Sequence, residues 1–208
     1  MRIVLTGAEC SAKSTLTRQL GEALGIPYAL EFARFYLEEH GPEYDYELLR
    51  EMARLHRDWQ REQVPPSAPL GIFDTDLINY KIWAEEVFGE CPEEIEQGIA
   101  KETDHIYLLC APDLPWEPDP LRENPNDRPR LFERHRKEIE RLGRRYEIVR
   151  GTGDARLACA EEALKRLLKL QGGHREPASA IMDRGFYGVC QPLLPIIHSF
   201  PCSKRLSG

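Results

Sequence analysis

The segment GAECSAKST at positions 7–15 has the residue types and the spacing of a phosphate-binding loop. It follows a short apolar run and precedes a segment of helical period, which is the context that a P-loop requires. In such a loop the backbone N–H groups and the amino end of the helix attract an anion, Lys13 reaches the outer phosphates, and Ser14 can bind Mg²⁺. The alternative is an ordinary helix start that places both side chains near the surface by chance. We predict nucleotide binding by Gly7, Glu9, Cys10, Ser11, Ala12, Lys13, Ser14 and Thr15.

Ala12 stands where the pattern GxxxxGK[ST] has its last glycine. If the backbone at this position requires a positive φ, alanine costs on the order of 1–2 kcal/mol, which the fold or a bound phosphate must offset. Cys10 is either a reactive thiol beside the phosphates or a small half-buried filler, and we prefer the second interpretation.

Carboxylates follow two further predicted strands, at the same sheet edge as the P-loop. Glu31 and Arg34 lie at the end of the second strand, and Asp74 and Asp76 lie at the end of the third. A carboxylate at the tip of the strand beside a P-loop can bind Mg²⁺ or act as the general base for an acceptor. Asp74 is the candidate for that role, and with Ser14 it forms the predicted metal site.

The other charged groups at this edge have two interpretations each. Asp76 either lies near the acceptor or is a helix N-terminal acid stabilised by the helix dipole. Glu31 and Arg34 either bind acceptor hydroxyls or form an ordinary surface ion pair. The sequence leaves open which of Glu31, Asp74 and Asp76 is the base.

A polar, proline-rich stretch, PWEPDPLRENPNDR at positions 115–128, lies between the fourth and fifth predicted strands. Such a stretch is uncommon in a compact domain unless it acts as a lid or a binding loop. Arg122, Arg128 and Arg130 suit a lid over a triphosphate, because guanidinium groups neutralise developing charge and closure excludes water. The alternative is a solvated loop whose arginines pair with neighbouring acids. Trp116 either stacks on a flat ring or anchors the loop, and we prefer the anchor. The predicted catalytic residues are Lys13, Glu31, Asp74, Arg122 and Arg128.

The elements that position these groups form a predicted α/β domain, because short apolar runs alternate with longer segments of helical period. The candidate strands are 2–6, 27–30, 71–74, 105–110 and 146–150. The candidate helices are 13–24, 46–63, 75–88, 93–101, 130–142 and 154–170. Right-handed crossovers make the strands parallel and bring ligands to the carboxyl edge of the sheet. We therefore predict a P-loop fold with a five-stranded parallel sheet flanked by helices and an arginine-bearing lid loop.

The composition narrows the class of protein. The chain has 208 residues and a net charge of −7, which argues against a protein that coats nucleic acid or anionic lipid. No apolar run approaches the roughly 20 residues that span a bilayer, and no signal peptide is recognisable, so we expect a cytoplasmic protein. The six cysteines are scattered, and we expect free thiols. A change of composition at Gly172 and Gly173 divides a P-loop domain, residues 1–170, from a proline- and glycine-containing tail, residues 171–208, of unknown role.

These segments resemble a known family, the ribosylnicotinamide kinase domain of NadR proteins, which is grouped among the AAA-type ATPases. The likeness runs from residue 1 to about residue 170 and rests on GAECSAKST, EFAR, FDTD, the PWEPDPLRENPNDR stretch with LFERHRKEIERLG after it, and YEIV. It implies an ATP-dependent kinase of a small nucleoside-like acceptor, with ATP and Mg²⁺ as cofactors. It places Lys13 and Ser14 at the phosphates, Asp74 at the metal and the Arg122 region over the nucleotide.

The chain departs from that family in two ways. Ala12 replaces the usual P-loop glycine, and the sequence begins at the P-loop without an HxGH motif. A nucleotidylyltransferase domain precedes the kinase in full-length NadR proteins. We therefore expect this chain to phosphorylate a substrate and not to make the dinucleotide.

Three functions fit these observations. The first is a kinase that transfers a phosphoryl group from MgATP to a hydroxyl of an acceptor like nicotinamide riboside. The second is an ATPase or GTPase switch, or an interaction protein that signals by ordering its loops, although the guanine-reading pattern [NT]KxD is not found. The third is a binding protein in which Ala12 has disabled catalysis. The sequence favours the kinase and is silent on the acceptor, on ATP versus GTP and on the oligomeric state.

Overall fold

The sheet is parallel and has five strands. A computed structural model describes residues 1–122 and 126–169. Its strands are β1 (Arg2–Thr6), β2 (Tyr28–Ala29), β3 (Gly71–Asp74), β4 (His105–Cys110) and β5 (Tyr146–Val149). They lie in the order β2-β3-β1-β4-β5, and each neighbouring pair is parallel. The loop after β1 therefore opens at the middle of the carboxyl edge.

Seven helices within the described ranges cover the two faces of the sheet. They are α1 (Lys13–Leu24), α2 (Phe32–His40), α3 (Tyr46–Gln63), α4 (Leu77–Phe88), α5 (Glu93–Lys101), α6 (Arg128–Arg141) and α7 (Gly153–Lys169). In this part of the chain none of them is both long enough and apolar enough to cross a membrane.

Successive strand residues face opposite sides of the sheet and build two cores. One core is formed with α1 and α7 and includes Ile3, Leu5, Leu20, Ile106, Leu108 and Leu164. The other is formed with α2 to α6 and includes Val4, Met52, Phe73, Ile78, Tyr107 and Ile139. Because both faces are covered, β1 and β4 consist of nearly continuous apolar residues.

The predicted fold class, an α/β domain with a five-stranded parallel sheet, is confirmed. The predicted bounds of α1, α3 and α5 are those of the structure. The prediction missed α2, which begins directly after Glu31 because β2 has only two residues. It placed the start of α4 two residues too early, because Thr75 has a positive φ of 67° and Asp76 caps the helix. It placed the start of α6 two residues too late, since the helix begins at Arg128.

The expectation of free thiols is confirmed for the cysteines that the structure describes, Cys10, Cys91, Cys110 and Cys159. Cys190 and Cys202 lie outside the described residues, as do the predicted tail, 171–208, and its boundary.

Candidate active site

The P-loop occupies residues 7–12, between β1 and α1. Gly7 has a φ of 128°, and a Cβ atom there would lie 2.7 Å from the carbonyl oxygen of Cys110, so only glycine fits against β4. Cys10 and Ala12 have φ values of 52° and 57°, in the left-handed region. Ala12 therefore occupies a position that favours glycine, at a cost on the order of 1–2 kcal/mol.

The loop is held in shape by its own groups. The Lys13 ammonium donates to the carbonyl oxygens of Gly7 and Ala8, each at 3.0 Å. The buried Ser11 hydroxyl donates to the carbonyl oxygen of Ala8 at 2.6 Å. Ser14 is exposed in the first turn of α1. A cation, a hydroxyl and the amino end of a helix thus surround one loop, which is an arrangement that attracts phosphate.

Asp74 and Glu31 bring two carboxyl groups to the loop from the ends of β3 and β2. Asp74 is fully buried, and among the described residues its carboxylate oxygens make no hydrogen bond of ordinary geometry, although the Ser14 hydroxyl and the Glu31 backbone lie near enough to lower its pKa. Burial raises the pKa of Asp74, and the charge of Lys13 opposes the rise. Burial, followed by the charge of Asp74, raises the pKa of Glu31 to about 7. A carboxyl that ionises near neutral pH can act as a general base.

The surroundings of Asp74 fit a Mg²⁺ ion. Its two buried oxygens make no hydrogen bond of ordinary geometry among the described residues, and the Ser14 hydroxyl is close enough to lower its pKa. Mg²⁺ prefers oxygen ligands and usually takes only one or two carboxylates from the protein. Ser14 and Asp74 are therefore the residues that would hold the ion.

A cavity of about 640 Å³ extends from the P-loop toward α2 and α4. Glu31 and Asn79 line it, and the Asn79 amide donates to the Glu31 carboxyl at 3.4 Å. Tyr44 and Trp83 form an aromatic wall, with ring centroids 4.9 Å apart and an indole N–H that donates to the Tyr44 hydroxyl at 2.9 Å. A small organic molecule fits this volume beside the phosphates.

The loop between β4 and α6 lies against the P-loop. Arg122 donates to the Cys10 sulfur at 3.5 Å, and Arg128 donates to the Cys10 carbonyl oxygen at 3.3 Å. The Arg128 guanidinium carbon lies 5.7 Å from the centroid of the Trp116 ring. Two of the three candidate lid arginines therefore contact the P-loop, and Trp116 supports one of them.

The remaining charged candidates are held in ion pairs. The Arg130 guanidinium donates to both carboxylate oxygens of Glu86, at 2.9 and 2.5 Å. This ion pair agrees with the second interpretation of the loop, in which its arginines pair with neighbouring acids. Arg34 borders the cavity and pairs with Asp119 of the loop between β4 and α6 at 2.8 Å. Its ion pair therefore joins α2 to that loop.

Asp76 is a structural acid, as the second of its two interpretations has it. It is the N-cap of α4, and one oxygen accepts from the backbone N–H of Ile78 at 3.0 Å. The other accepts from the Tyr107 hydroxyl at 2.7 Å and contacts the His105 ring at 3.2 Å. Burial alone would raise the pKa of Asp76, but the contacts with His105 and Tyr107 outweigh it and lower the pKa.

Two residues of the candidate site, Asn79 and Arg156, are not among those predicted from the sequence. Asn79 carries no motif signal, because its partner Glu31 lies on another element. Arg156 of α7 donates to the P-loop carbonyl oxygen of Ser11 at 2.9 Å. A signal for Arg156 exists, since an arginine occupies the buried stripe that continues through Ala160, Ala163, Leu164 and Leu167.

The chain is similar to known proteins in sequence and in fold. A family model for AAA domains matches residues 2–156, and no curated protein sequence matches the chain. A solved structure of NadR protein in complex with NR has a TM-score of 0.66 and 21% identity, over 84% of this chain and 52% of that one. NadR protein in complex with NAD and AMP-PNP has a TM-score of 0.61 and 20% identity, over 84% and 50%. Thymidylate kinase from Ehrlichia chaffeensis has a TM-score of 0.51 and 16% identity, over 80% and 98%.

The chain thus spans about half the length of the two NadR structures that it matches. At these identities the likeness establishes the fold, a parallel sheet of the P-loop kinase type. The family model covers most of the described residues, from β1 into α7. This chain therefore belongs to the family of AAA domains.

Proposed function

We propose that this protein is a kinase that transfers the terminal phosphoryl group of ATP to a hydroxyl of a small nucleoside-like acceptor. The observation that carries the proposal is the position of Glu31. Its carboxyl lies in the cavity that adjoins the P-loop, beside Asp74, and has a pKa of about 7. A nucleotide switch requires neither an acceptor cavity nor such a carboxyl, so the arrangement supports phosphoryl transfer to a bound molecule.

The predicted site residues have distinct roles in this reaction. Lys13 and the backbone N–H groups of residues 7–15 bind the phosphates, and Glu31 accepts the proton of the attacking hydroxyl. Arg122 and Arg128 neutralise the charge on the transferred group. Mg²⁺, when bound by Ser14 and Asp74, supplies further neutralisation of the phosphates.

The lining of the cavity supports a nucleoside-like acceptor. Tyr44 and Trp83 offer flat apolar surfaces on which a ring can stack. Glu31 and Asn79 offer an acceptor and a donor for sugar hydroxyls on the side of the P-loop. Because a NadR structure was solved in complex with NR, nicotinamide riboside is the first acceptor to test.

A product assay tests the proposal. The protein is incubated with MgATP and nicotinamide riboside, and then with other nucleosides, and products are identified by mass spectrometry. A phosphorylated acceptor supports the kinase. Binding of MgATP without turnover of any acceptor contradicts it and favours the switch. Lys13→Ala is the negative control, because it removes the ammonium at the phosphates and must lose transfer while keeping the fold.

Glu31 gives this activity a defined pH dependence. Only the ionised carboxyl can accept a proton, so kcat/KM for the acceptor should fall about tenfold per pH unit below about pH 7. Glu31→Gln should lower kcat about 10²–10⁴-fold and remove this pH dependence. A Glu31→Gln protein that retains the wild-type pH profile would assign the base to another group.

A further inference from the structure

One buried guanidinium joins three loops at the carboxyl edge of the sheet. Arg156 of α7 is 2% exposed. One of its terminal nitrogens donates to the carbonyl oxygens of Ser11 and Ala111, both at 2.9 Å. The other donates to the Gly151 carbonyl oxygen at 2.9 Å and to the Asp113 carboxylate at 2.5 Å. These acceptors lie in the P-loop, after β4 and after β5, so Arg156 fixes the three loops relative to one another.

Asp113 completes this arrangement. Its second carboxylate oxygen accepts the backbone N–H of Gly151 at 2.8 Å. The buried cation is therefore paired, and the loop after β5 is held by both members of the pair. Removing one partner would leave the other charge uncompensated, which is costly at a buried position.

The contact with Ser11 determines the direction of the next backbone N–H. A peptide unit is planar and trans, so the C=O of Ser11 and the N–H of Ala12 point in opposite directions. A carbonyl directed at Arg156 therefore sends the Ala12 N–H away from Arg156. Ala12 has φ 57° and ψ 27°, a conformation that alanine resists. The charged donor thus holds the peptide that joins Ser11 to the strained Ala12.

We propose that Arg156 is a positioning residue for the nucleotide, which holds the Ser11–Ala12 peptide in the orientation that binds phosphate and compensates for the missing glycine at position 12. The inference rests on the proposed binding of ATP at the P-loop. It assigns to α7, which contributes no predicted site residue, control over nucleotide affinity.

The test compares two substitutions of Arg156 with a control on the same helix. Arg156→Lys keeps the charge and loses the fork of donors, whereas Arg156→Met loses both. Arg166→Met removes an exposed ion pair with Glu147 that lies outside the three loops. Each protein is titrated with MgATP by calorimetry, and its thermal midpoint without nucleotide is recorded.

We expect the Kd for MgATP to rise about tenfold in Arg156→Lys and about 100-fold in Arg156→Met, and to remain unchanged in Arg166→Met. Adding Ala12→Gly to Arg156→Lys should restore part of the affinity, because glycine adopts the left-handed conformation without assistance. With a purely structural role, Ala12→Gly would lower the Kd by the same factor in wild type and in Arg156→Lys, so a larger gain in Arg156→Lys supports the positioning role. If Arg156→Met does not fold, Arg156→Lys and Asp113→Asn carry the same comparison.

Two results would overturn the inference. An unchanged Kd in Arg156 variants whose thermal midpoints fall would show that the residue acts on the fold alone. Failure of the wild-type protein to bind MgATP would overturn the inference and the proposed function together. The first of these results overturns only the inference and leaves the proposed function standing.

Discussion

The buried carboxyl of Asp74 suits the binding of a cation but lowers the stability of the apo protein. Its carboxylate is buried, and burial raises its pKa above the value of an exposed aspartate although Lys13 and the nearby Ser14 hydroxyl act in the opposite direction. A carboxyl whose pKa is raised by folding destabilises the folded state at pH values above its unfolded pKa of about 3.9, where the unfolded chain is ionised. Near neutral pH the apo protein therefore carries a cost that a bound cation would remove.

Asp74→Asn should consequently have opposite effects on activity and on stability. We expect turnover to fall by more than about 100-fold, and the free energy of unfolding of the apo protein at pH 7 to rise by about 1–3 kcal/mol. Activity assays and urea unfolding with and without MgATP measure both. A lower apo stability in the variant would show that the carboxylate is compensated in the native state, and the metal assignment would lose its support.

The sequence could predict that Asp74 and Glu31 lie beside the P-loop, because the carboxyl ends of parallel strands meet at one edge. It could also predict the strain at Ala12, since the motif requires glycine there. It could not decide between the two interpretations of Asp76. The deciding partners, His105 and Tyr107, belong to β4, and only the packing of α4 on the sheet brings them to the cap.

The N-cap residues of α3 and α4 differ in the number of contacts that they make, because the cap of α4 is part of a buried network. Asp45 caps α3 through a single contact with the N–H of Leu48 at 2.8 Å at the surface. Asp76 caps α4 and also contacts two side chains of β4. We expect Asp45→Ala to cost about 1 kcal/mol of unfolding free energy and Asp76→Ala about 2–4 kcal/mol, measured by urea unfolding at pH 7. Equal losses would show that the contacts to β4 contribute no net stability.

In the loop between β4 and α6, which we propose to be a lid, one substitution should lower activity and leave stability nearly unchanged. Arg122 contacts the Cys10 sulfur at the P-loop, whereas Arg136 of α6 pairs with Glu133 at the surface. Arg122→Ala should lower kcat about tenfold or more while changing the free energy of unfolding by less than about 1 kcal/mol. Arg136→Ala should leave kcat unchanged. If Arg122→Ala lowers the thermal midpoint and keeps full specific activity, the loop is not a lid.

The elements differ in how far their sequences reveal them. Helices α1, α3 and α5 have boundary residues that the sequence reveals, since Gly25 follows α1, Asp45 precedes α3 and Pro92 precedes α5. β2 and α2 could not be separated, because the chain passes from a two-residue strand into a helix through Leu30 and Glu31 alone. The start of α4 was misplaced because a threonine with positive φ is rare and has no sequence signal.

For the whole molecule, we propose that residues 1–170 form a self-sufficient domain. Within the described residues, five strands form one sheet, and helices cover both of its faces with apolar cores. A chain that ends at residue 170 should therefore unfold at the midpoint of the full chain, within about 2 °C, and with the same denaturant dependence. Calorimetry and urea unfolding of both chains measure this. A lower midpoint for the shorter chain would assign residues 171–208 to the folded domain.

The order of the strands also determines when the P-loop can form as the chain is synthesised. β1 precedes every other element, yet Arg2 pairs with Gly71 on one side and with His105 on the other. Until β3 and β4 have left the ribosome, β1 is an apolar segment without its partner strands. Such segments bind chaperones or aggregate. The loop that would bind the nucleotide is thus synthesised before β3 and β4 and can acquire its shape only after both have been made.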